Sequence, residues 1–359
     1  MRPTMDIMNQ TAYSSKEIGD PAGGKSPQSF TARLTYQLFN HRGLIYAIGA
    51  TCAFAIPSIC VKILQEEVGP NQLAFFRAVI ILVMSLISMI HSGTSPKPSS
   101  CQELKFFVIH ATFSTLAVAT SFYAFQNMRA ADAAAIMYAY PAFTGFLGRI
   151  FLKESFGVLE VILVSVTLLG VVLVAQPAFI FGSNPEEEPG HTGHPLTPLV
   201  ALAGCFCVAM VVLSVRAMGK QDIDAVKVLF YYGLLGTILP GILATALGQW
   251  KLSNCSSTKL ITVVIGLLSY LANLLFIQAL AIESAVYVAI ICMNEALVVF
   301  VLEVLFLAMT PQLLSVIGMI TILGSSIALT LFRFKRKAQA EFDDDSVREH
   351  SNAQTTDLS

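Results

Sequence analysis

Charged side chains are scarce in this sequence. Asp, Glu, Lys and Arg make up 13% of the 359 residues, against about 25% in an ordinary soluble domain. Hydrophobic residues make up 55%, and the mean hydropathy is +0.69. A soluble chain of this composition could not cover its surface with polar groups, so the expected surroundings are a lipid bilayer. The net charge of −1 gives no reason to expect nucleic acid as a partner.

Signals of catalysis and metal binding are also lacking. The seven cysteines include no CxxC pair and mostly lie in apolar runs, so neither a disulfide framework nor a metal or redox site is expected. No Ser-His or His-Asp arrangement is expected within one membrane leaflet, and His110 looks isolated. The sequence therefore predicts no enzyme and no cofactor.

Ten apolar runs of about 20 residues are each long enough to cross a membrane as a helix. The loop "GSNPEEEPGHTGHPLTP" follows the fifth run and divides the ten into five and five. The predicted segments are 43–64, 72–91, 104–127, 132–152, 157–176, 197–219, 225–249, 258–281, 284–307 and 311–333.

The two halves resemble each other at their ends. "FLKESFGVLEVILVSVTLLGVVLV" closes the first half and "FLAMTPQLLSVIGMITILGSSIAL" the second, with Leu-Gly late in each helix (Gly170 and Gly324). Because each half has an odd number of segments, the second must enter the membrane upside down, as in inverted-repeat transporters. The predicted fold is an all-α membrane protein of ten transmembrane helices in two inverted five-helix repeats.

Charge bias and composition predict the arrangement of the chain. Most Lys and Arg in short loops fall on one side of the ten segments, which places both termini in the cytoplasm. The polar ends are expected to be disordered, and nothing distinguishes an ER or Golgi membrane from the plasma membrane. The predicted units are a tail (1–40), the first repeat (41–181), an extracytoplasmic acidic loop (182–196), the second repeat (197–333) and a cytoplasmic tail (334–359).

One stretch of the first half is similar to a known family. "ADA" opening the fourth segment, Pro141 within it, "FLKE" closing it and "GVVLVAQPAFIFG" ending the half resemble the EamA branch of the drug/metabolite transporter superfamily, and within it the G branch of the solute carrier 35 family. The resemblance implies a ten-helix inverted-repeat transporter with a central cavity. It also implies that the fifth and tenth helices lie at the periphery, where related proteins pair, so a homodimer is an expectation.

The same superfamily contains nucleotide-sugar transporters, and two stretches resemble their motifs in part. Tyr231 in "LFYYGLL" and Asn294 in "ICMNEAL" match an aromatic motif and an Asn-containing motif. The basic residue expected after the Asn is Glu295 in this chain. That reverses the charge where a diphosphate would bind, so a nucleotide-sugar transporter is kept only as an alternative.

Glu295 and Asn294 interrupt the apolar run "AIICMNEALVVF". An ionised carboxylate at the centre of a bilayer costs about 2.5–3.5 kcal/mol on insertion scales, so such a residue usually faces a cavity, a partner or a proton path. Glu295 is therefore predicted to be a substrate-contact or coupling residue. The simpler interpretation is a protonated Glu that hydrogen-bonds between helices, and Asn294, about 100° away, suits a helix–helix contact.

Other polar residues are candidates for the wall of a cavity. Pro141 removes a backbone hydrogen bond in the middle of the fourth segment, and Tyr138 and Tyr140 flank it. Arg77 and Lys62 lie near the ends of the second and first segments. They either extend to the lipid headgroups or face inwards, where they would attract an anion.

These observations predict a secondary transporter of a small organic solute. It would work by alternating access, coupled to protons or by exchange, and ATP is not expected to drive it. One alternative is a membrane regulator or scaffold that does not transport and acts through its tails, such as "EFDDDSVREH". The expected partners are the solute, the bilayer and a second copy of the chain.

Overall fold

The structure is a computed structural model, and it describes most of the apolar part of the chain. The described residues are 42–64, 67–127, 133, 136–154, 157–176, 180, 196–251, 256–307, 313–332 and 335. The predicted tails 1–40 and 334–359 and the loop 182–196 lie almost wholly outside them. The predictions for those segments therefore remain predictions.

All regular structure in the described residues is helical. Eight helical stretches are long and apolar enough to cross a membrane, and Val158–Val174 is a shorter apolar helix. The fourth predicted segment is described in part, as a helix that begins at Tyr140. The helices are α1 Arg42–Leu64, α2 Pro70–Ser92, α3 Cys101–Asn127, α4 Tyr140–Phe151, α5 Val158–Ala175, α6 Thr197–Gly219, α7 Ala225–Gly236, α8 Ile238–Ala246, α9 Ser256–Ile282, α10 Ala285–Cys292, α11 Glu295–Leu307 and α12 Leu313–Phe332.

Two of the predicted segments are each made of two helices. The seventh consists of α7 and α8, which meet at Thr237, three residues before Pro240. The ninth consists of α10 and α11, separated by Met293 and Asn294. The sequence predicted one ninth segment, and Ala285–Leu302 is long and apolar enough to cross a membrane, but its helix is interrupted at Met293 and Asn294. No proline lies at this break.

The faces of the helices fit a bundle in lipid. Tyr287, Phe107, Met218 and Leu229 are fully buried between helices. Large apolar side chains elsewhere point outwards, among them Ile90, which is 74% exposed. An outer surface of this kind suits hydrocarbon rather than water.

The last helices of the two halves cross at a pair of glycines. A Cβ atom built on Gly170 would lie 2.8 Å from the carbonyl oxygen of Gly318, and one on Gly318 would lie 2.6 Å from that of Gly170. Only glycines allow α5 and α12 to approach so closely. The hydroxyls of Thr167 and Ser325, 2.7 Å apart, hold the same crossing. Gly324, which the sequence paired with Gly170, has open space around it.

Candidate functional site

The fourth and ninth segments are interrupted in the same way. Tyr138 and Ala139 form a turn before α4, as Met293 and Asn294 do before α11. The Ala139 N–H donates to the Ile136 carbonyl at 3.1 Å, three residues back, and the Asn294 N–H donates to the Ile291 carbonyl at 3.0 Å. The helices then restart at Tyr140 and at Glu295.

Tyr140 and Glu295, the first residues after the two breaks, lie near each other. The Tyr140 hydroxyl donates to the Ala289 carbonyl of α10 at 3.3 Å, and it is close enough to Glu295 for the two to interact electrostatically. The Ser58 hydroxyl of α1 donates to Glu295 Oε1 at 2.9 Å. Glu295 as a residue is half-buried, and its carboxylate faces Ser58 of α1.

Asn294 faces a different helix from Glu295. Its Nδ2 donates to the Ile291 carbonyl at 2.9 Å and to Ser326 Oγ of α12 at 2.8 Å. Its Oδ1 is buried without a hydrogen-bond partner among the described residues. The side chain therefore joins the break between α10 and α11 to α12, which agrees with the interpretation of Asn294 as a helix–helix contact.

Tyr138 lies in the turn of the first break, and Pro141 follows it. Pro141 is buried in the first turn of α4, a position where the absent N–H would have no partner in the helix. Tyr138 is half-buried and packs on Val171, Met293 and Ile322. Tyr138 thus contacts the last helices of both halves.

A cavity of about 140 Å³ lies between α3, α6, α7 and α9. Its polar lining consists of His110, Ser114, Tyr232 and Asn273, and the rest of the wall is apolar. Phe276, also in the lining, packs edge-to-face on Phe54 of α1 with ring centroids 6.1 Å apart. Phe54 is one turn before Ser58, so this contact leads from the cavity towards Glu295.

Arg77 lies next to this cavity and contacts its lining through Tyr232. Its Nη2 donates to the Tyr232 hydroxyl at 2.8 Å. A Cβ on Gly236 would lie 3.9 Å from that of Ala78, and one on Gly233 would lie 2.9 Å from that of Leu82, so α2 and α7 run antiparallel with Arg77 about one turn from Tyr232. The guanidinium thus points away from the nearer end of α2 and not towards a headgroup. The side chain of Lys62 lies outside the described part of the chain.

Tyr231, unlike its neighbour Tyr232, points away from the cavity. Its hydroxyl donates to the Pro96 carbonyl at 3.0 Å. Its ring stacks on the ring of Phe107, with centroids 4.5 Å apart. Sequence reasoning chose Tyr231 for its motif and missed Tyr232. Adjacent helical residues differ by about 100° in direction, and the apolar pattern of α7 does not reveal which tyrosine faces inwards.

The sequence suggested that His110 is isolated, but in the structure it has a hydrogen-bond partner. Its Nδ1 lies 3.0 Å from Ser214 Oγ of α6, and the Ser214 hydroxyl also contacts the Val211 carbonyl at 2.8 Å. No carboxylate among the described residues forms an ion pair with His110, and the pairs seen there join Glu154 to Arg216 and Lys220 and Glu103 to Lys227. No group of three His, Cys, Asp or Glu in the described ranges could hold a metal.

At one end of the bundle Glu154 joins the two halves. Its Oε1 accepts from Arg216 Nε at 2.7 Å and lies 3.4 Å from Lys220 Nζ, and its Oε2 accepts from the Ala285 N–H at 3.0 Å. Arg216 Nη1 donates in turn to the carbonyls of Leu280 and Ala281. We call Glu154, Arg216, Lys220 and Ala285 the Glu154 cluster.

Comparison with known proteins finds matches along most of the chain. The EamA-like transporter family model matches residues 41–176 and 196–331. Solute carrier family 35 member G1 of Homo sapiens is 26% identical over 298 residues, 83% of this chain and 81% of that protein. The pseudopaline exporter CntI of Pseudomonas aeruginosa is 20% identical over 295 residues, 80% and 95%. A solved protein structure superposes with a TM-score of 0.69 at 14% identity, covering 81% of this chain and 97% of that one.

The two family matches relate the helix breaks to each other. They begin at residues 41 and 196 and end at 176 and 331, so both pairs of bounds differ by 155. Tyr140 and Glu295 differ by the same number. So do Ile136 and Ile291, whose carbonyls accept the equivalent turn bonds. The breaks therefore occupy equivalent positions of the two repeats.

Proposed function

The chain belongs to the EamA-like transporter family, and on that basis we propose that it is a secondary transporter that carries a small organic solute by alternating access. The observation that supports this best is the pair of equivalent helix breaks, with Glu295 at one of them. Discontinuous helices at the interface of inverted repeats are where many transporters place substrate and coupling ions. A carboxylate at such a break is expensive unless it has a role.

Glu295 is the coupling residue in this proposal. Its hydrogen-bond donor is Ser58 of the first half, while Glu295 itself belongs to the second. Any movement of one half against the other changes this contact. Loading and unloading of a proton at Glu295 would therefore be linked to the conformational state, either as proton coupling or as a condition for exchange.

Two relatives support movement of a small solute. One is named a solute carrier and another an exporter of pseudopaline. A cavity of about 140 Å³ is smaller than the roughly 300–1,000 Å³ pockets that hold drug-sized ligands. The nucleotide-sugar alternative has less support, because Glu295 would repel a diphosphate.

One stretch of the N-terminal region resembles a nucleotide-binding motif. Residues 19–26, "GDPAGGKS", match the phosphate-binding pattern GxxxxGK[ST], although they lie outside the described residues. Such a loop follows a buried strand and opens a helix, whereas the preceding "YSSKEI" is mostly polar. We therefore keep a secondary transporter as the proposal, and ATP independence belongs in its test.

The proposal is tested by uptake into proteoliposomes that contain the purified chain. Organic acids, amines and nucleotide sugars are supplied with and without a proton gradient, in the absence of ATP. We expect saturable uptake of a small solute that responds to the gradient. Uptake that requires ATP would contradict a secondary transporter. No uptake, together with loss of a cellular function in the chain without residues 338–359, would favour the regulator.

Topology is a further part of the proposal. We expect both termini in the cytoplasm, repeats at 41–181 and 197–333, and the Glu154 cluster on the cytoplasmic side. In sealed, oriented vesicles an impermeant thiol reagent applied from outside should label Ser183→Cys but not Ser346→Cys, or the reverse in inverted vesicles. Labelling of both from one side would contradict the two inverted five-helix repeats.

A further inference from the structure

Arg77 carries a charge that the described part of the protein does not neutralise. Its contact is the neutral hydroxyl of Tyr232 at 2.8 Å, and the ion pairs of the described residues all use other cations. Arg77 is half-buried and lies well inside α2. A guanidinium in an apolar bundle without a counter-ion is costly, and the cost is met if an anion occupies the space beside it.

The groups around the cavity define what that anion must offer. The Tyr232 oxygen accepts from Arg77, so its own hydrogen is available to donate into the cavity. Because the Ser214 hydroxyl donates to Val211, its oxygen accepts from His110 Nδ1–H, which leaves His110 Nε2 as an acceptor in the lining. Asn273 Nδ2 donates to the Ser269 carbonyl at 2.7 Å, which leaves Oδ1 as a second acceptor.

We infer that the cavity binds a small organic carboxylate that also carries a hydroxyl or amino hydrogen. The planar guanidinium fork of Arg77 matches a carboxylate, and the Tyr232 hydroxyl donates a further bond to it. His110 Nε2 and Asn273 Oδ1 receive the hydroxyl or amino hydrogen. This inference rests on the proposed function, because it names the solute of the same cavity.

The position of the site separates it from a surface anion trap. Arg77 points towards the middle of the bundle, and His110, Tyr232 and Asn273 come from three further helices. Tyr232 also packs edge-to-face on His110 with ring centroids 5.8 Å apart. A solute bound by these four residues would contact both halves of the protein. Arg77 and His110 belong to the first half, and Tyr232 and Asn273 belong to the second.

The test compares matched probes and matched variants. Lactate, propionate and lactamide, with their homologues of four to six carbons, are measured by thermal shift of the purified chain and by uptake into proteoliposomes. We expect a hydroxycarboxylate to bind more tightly than its deoxy analogue, and the amide to bind at least about tenfold more weakly. Arg77→Gln should lose the preference for the carboxylate over the amide, while Arg77→Lys retains part of it.

Arg149→Gln is the matched control, because Arg149 is an exposed cation near the end of α4, away from the cavity lining. It should leave binding unchanged. If Arg77→Gln does not insert, Tyr232→Phe and the carboxylate-to-amide ratio of the unaltered chain decide the question. Equal binding of amide and carboxylate, no binding of any carboxylate, or an Arg77→Gln variant with normal preference would overturn the inference. Uptake of neutral or cationic solutes alone would contradict the carboxylate site but support the proposed transporter. Arg77-dependent binding without uptake would support the carboxylate site and contradict the proposed transporter.

Discussion

Glu295→Gln is expected to abolish gradient-driven uptake and to spare solute exchange. Glutamine keeps the size of the side chain and can still accept from Ser58, but it cannot load and unload a proton. Insertion should be normal, since a costly charge is removed from the bundle. Exchange needs no net proton movement, so it should persist. Uptake and exchange in proteoliposomes, measured across a range of pH, separate the two effects.

Two further variants define the role of the carboxylate. Glu295→Asp draws the carboxyl back by one methylene and should give intermediate uptake. Glu160→Gln is the control, because Glu160 is also buried but accepts from the Gly157 N–H at the start of its own helix. A Glu295→Gln variant that still concentrates solute with normal pH dependence would reduce Glu295 to a helix–helix contact.

Glu154→Gln is expected to open the bundle at the end where Glu154 lies. The change removes the ion pairs with Arg216 and Lys220, which join the two halves. Arg216 keeps its hydrogen bonds to the carbonyls of Leu280 and Ala281. Breaking a largely buried pair should move the equilibrium between states by about 1–3 kcal/mol, or roughly 5- to 150-fold. Solute affinity measured from each side of the membrane should change in opposite directions.

The equivalent position of the second repeat makes this effect one-sided. The residue 155 positions after Glu154 is Met309, so the equivalent sequence position of the second repeat carries no carboxylate. The described halves also meet away from Glu154, where Asn71 Nδ2 donates to Gln249 Oε1 at 2.9 Å and the Thr258 hydroxyl donates to Glu67 Oε2. Glu160→Gln again serves as the control. If it changes the affinity ratio as much as Glu154→Gln does, the Glu154 cluster is not a clasp between the halves.

Composition and apolar runs were sufficient to predict the architecture. Segment length and hydropathy depend only on the sequence and the thickness of a bilayer, so the helical bundle and its two related halves were predictable. Pro141 likewise indicated the break in the fourth segment, since a proline cannot continue the hydrogen-bond ladder. The ninth break was missed because Ala296 occupies the position equivalent to Pro141.

Details of the candidate site needed the packed structure. The contact between His110 and Ser214 joins residues 104 positions apart, and no local pattern indicates it. The direction of Arg77 depends on how closely Gly233 and Gly236 let α7 approach α2. Which of two adjacent tyrosines faces the cavity depends on the rotation of α7, and the apolar residues around that helix leave its rotation undetermined.

The accessibility of Ser114 from the two sides of the membrane tests the central claim most directly. Ser114 lines the cavity, and a single Ser114→Cys in a chain without its native cysteines reports which side reaches it. Alternating access predicts that an impermeant thiol reagent labels it from either side, with solute protecting it from both, and that Glu154→Gln speeds labelling from the Glu154 end. Labelling from one side only, unaffected by solute and by Glu154→Gln, would contradict the account.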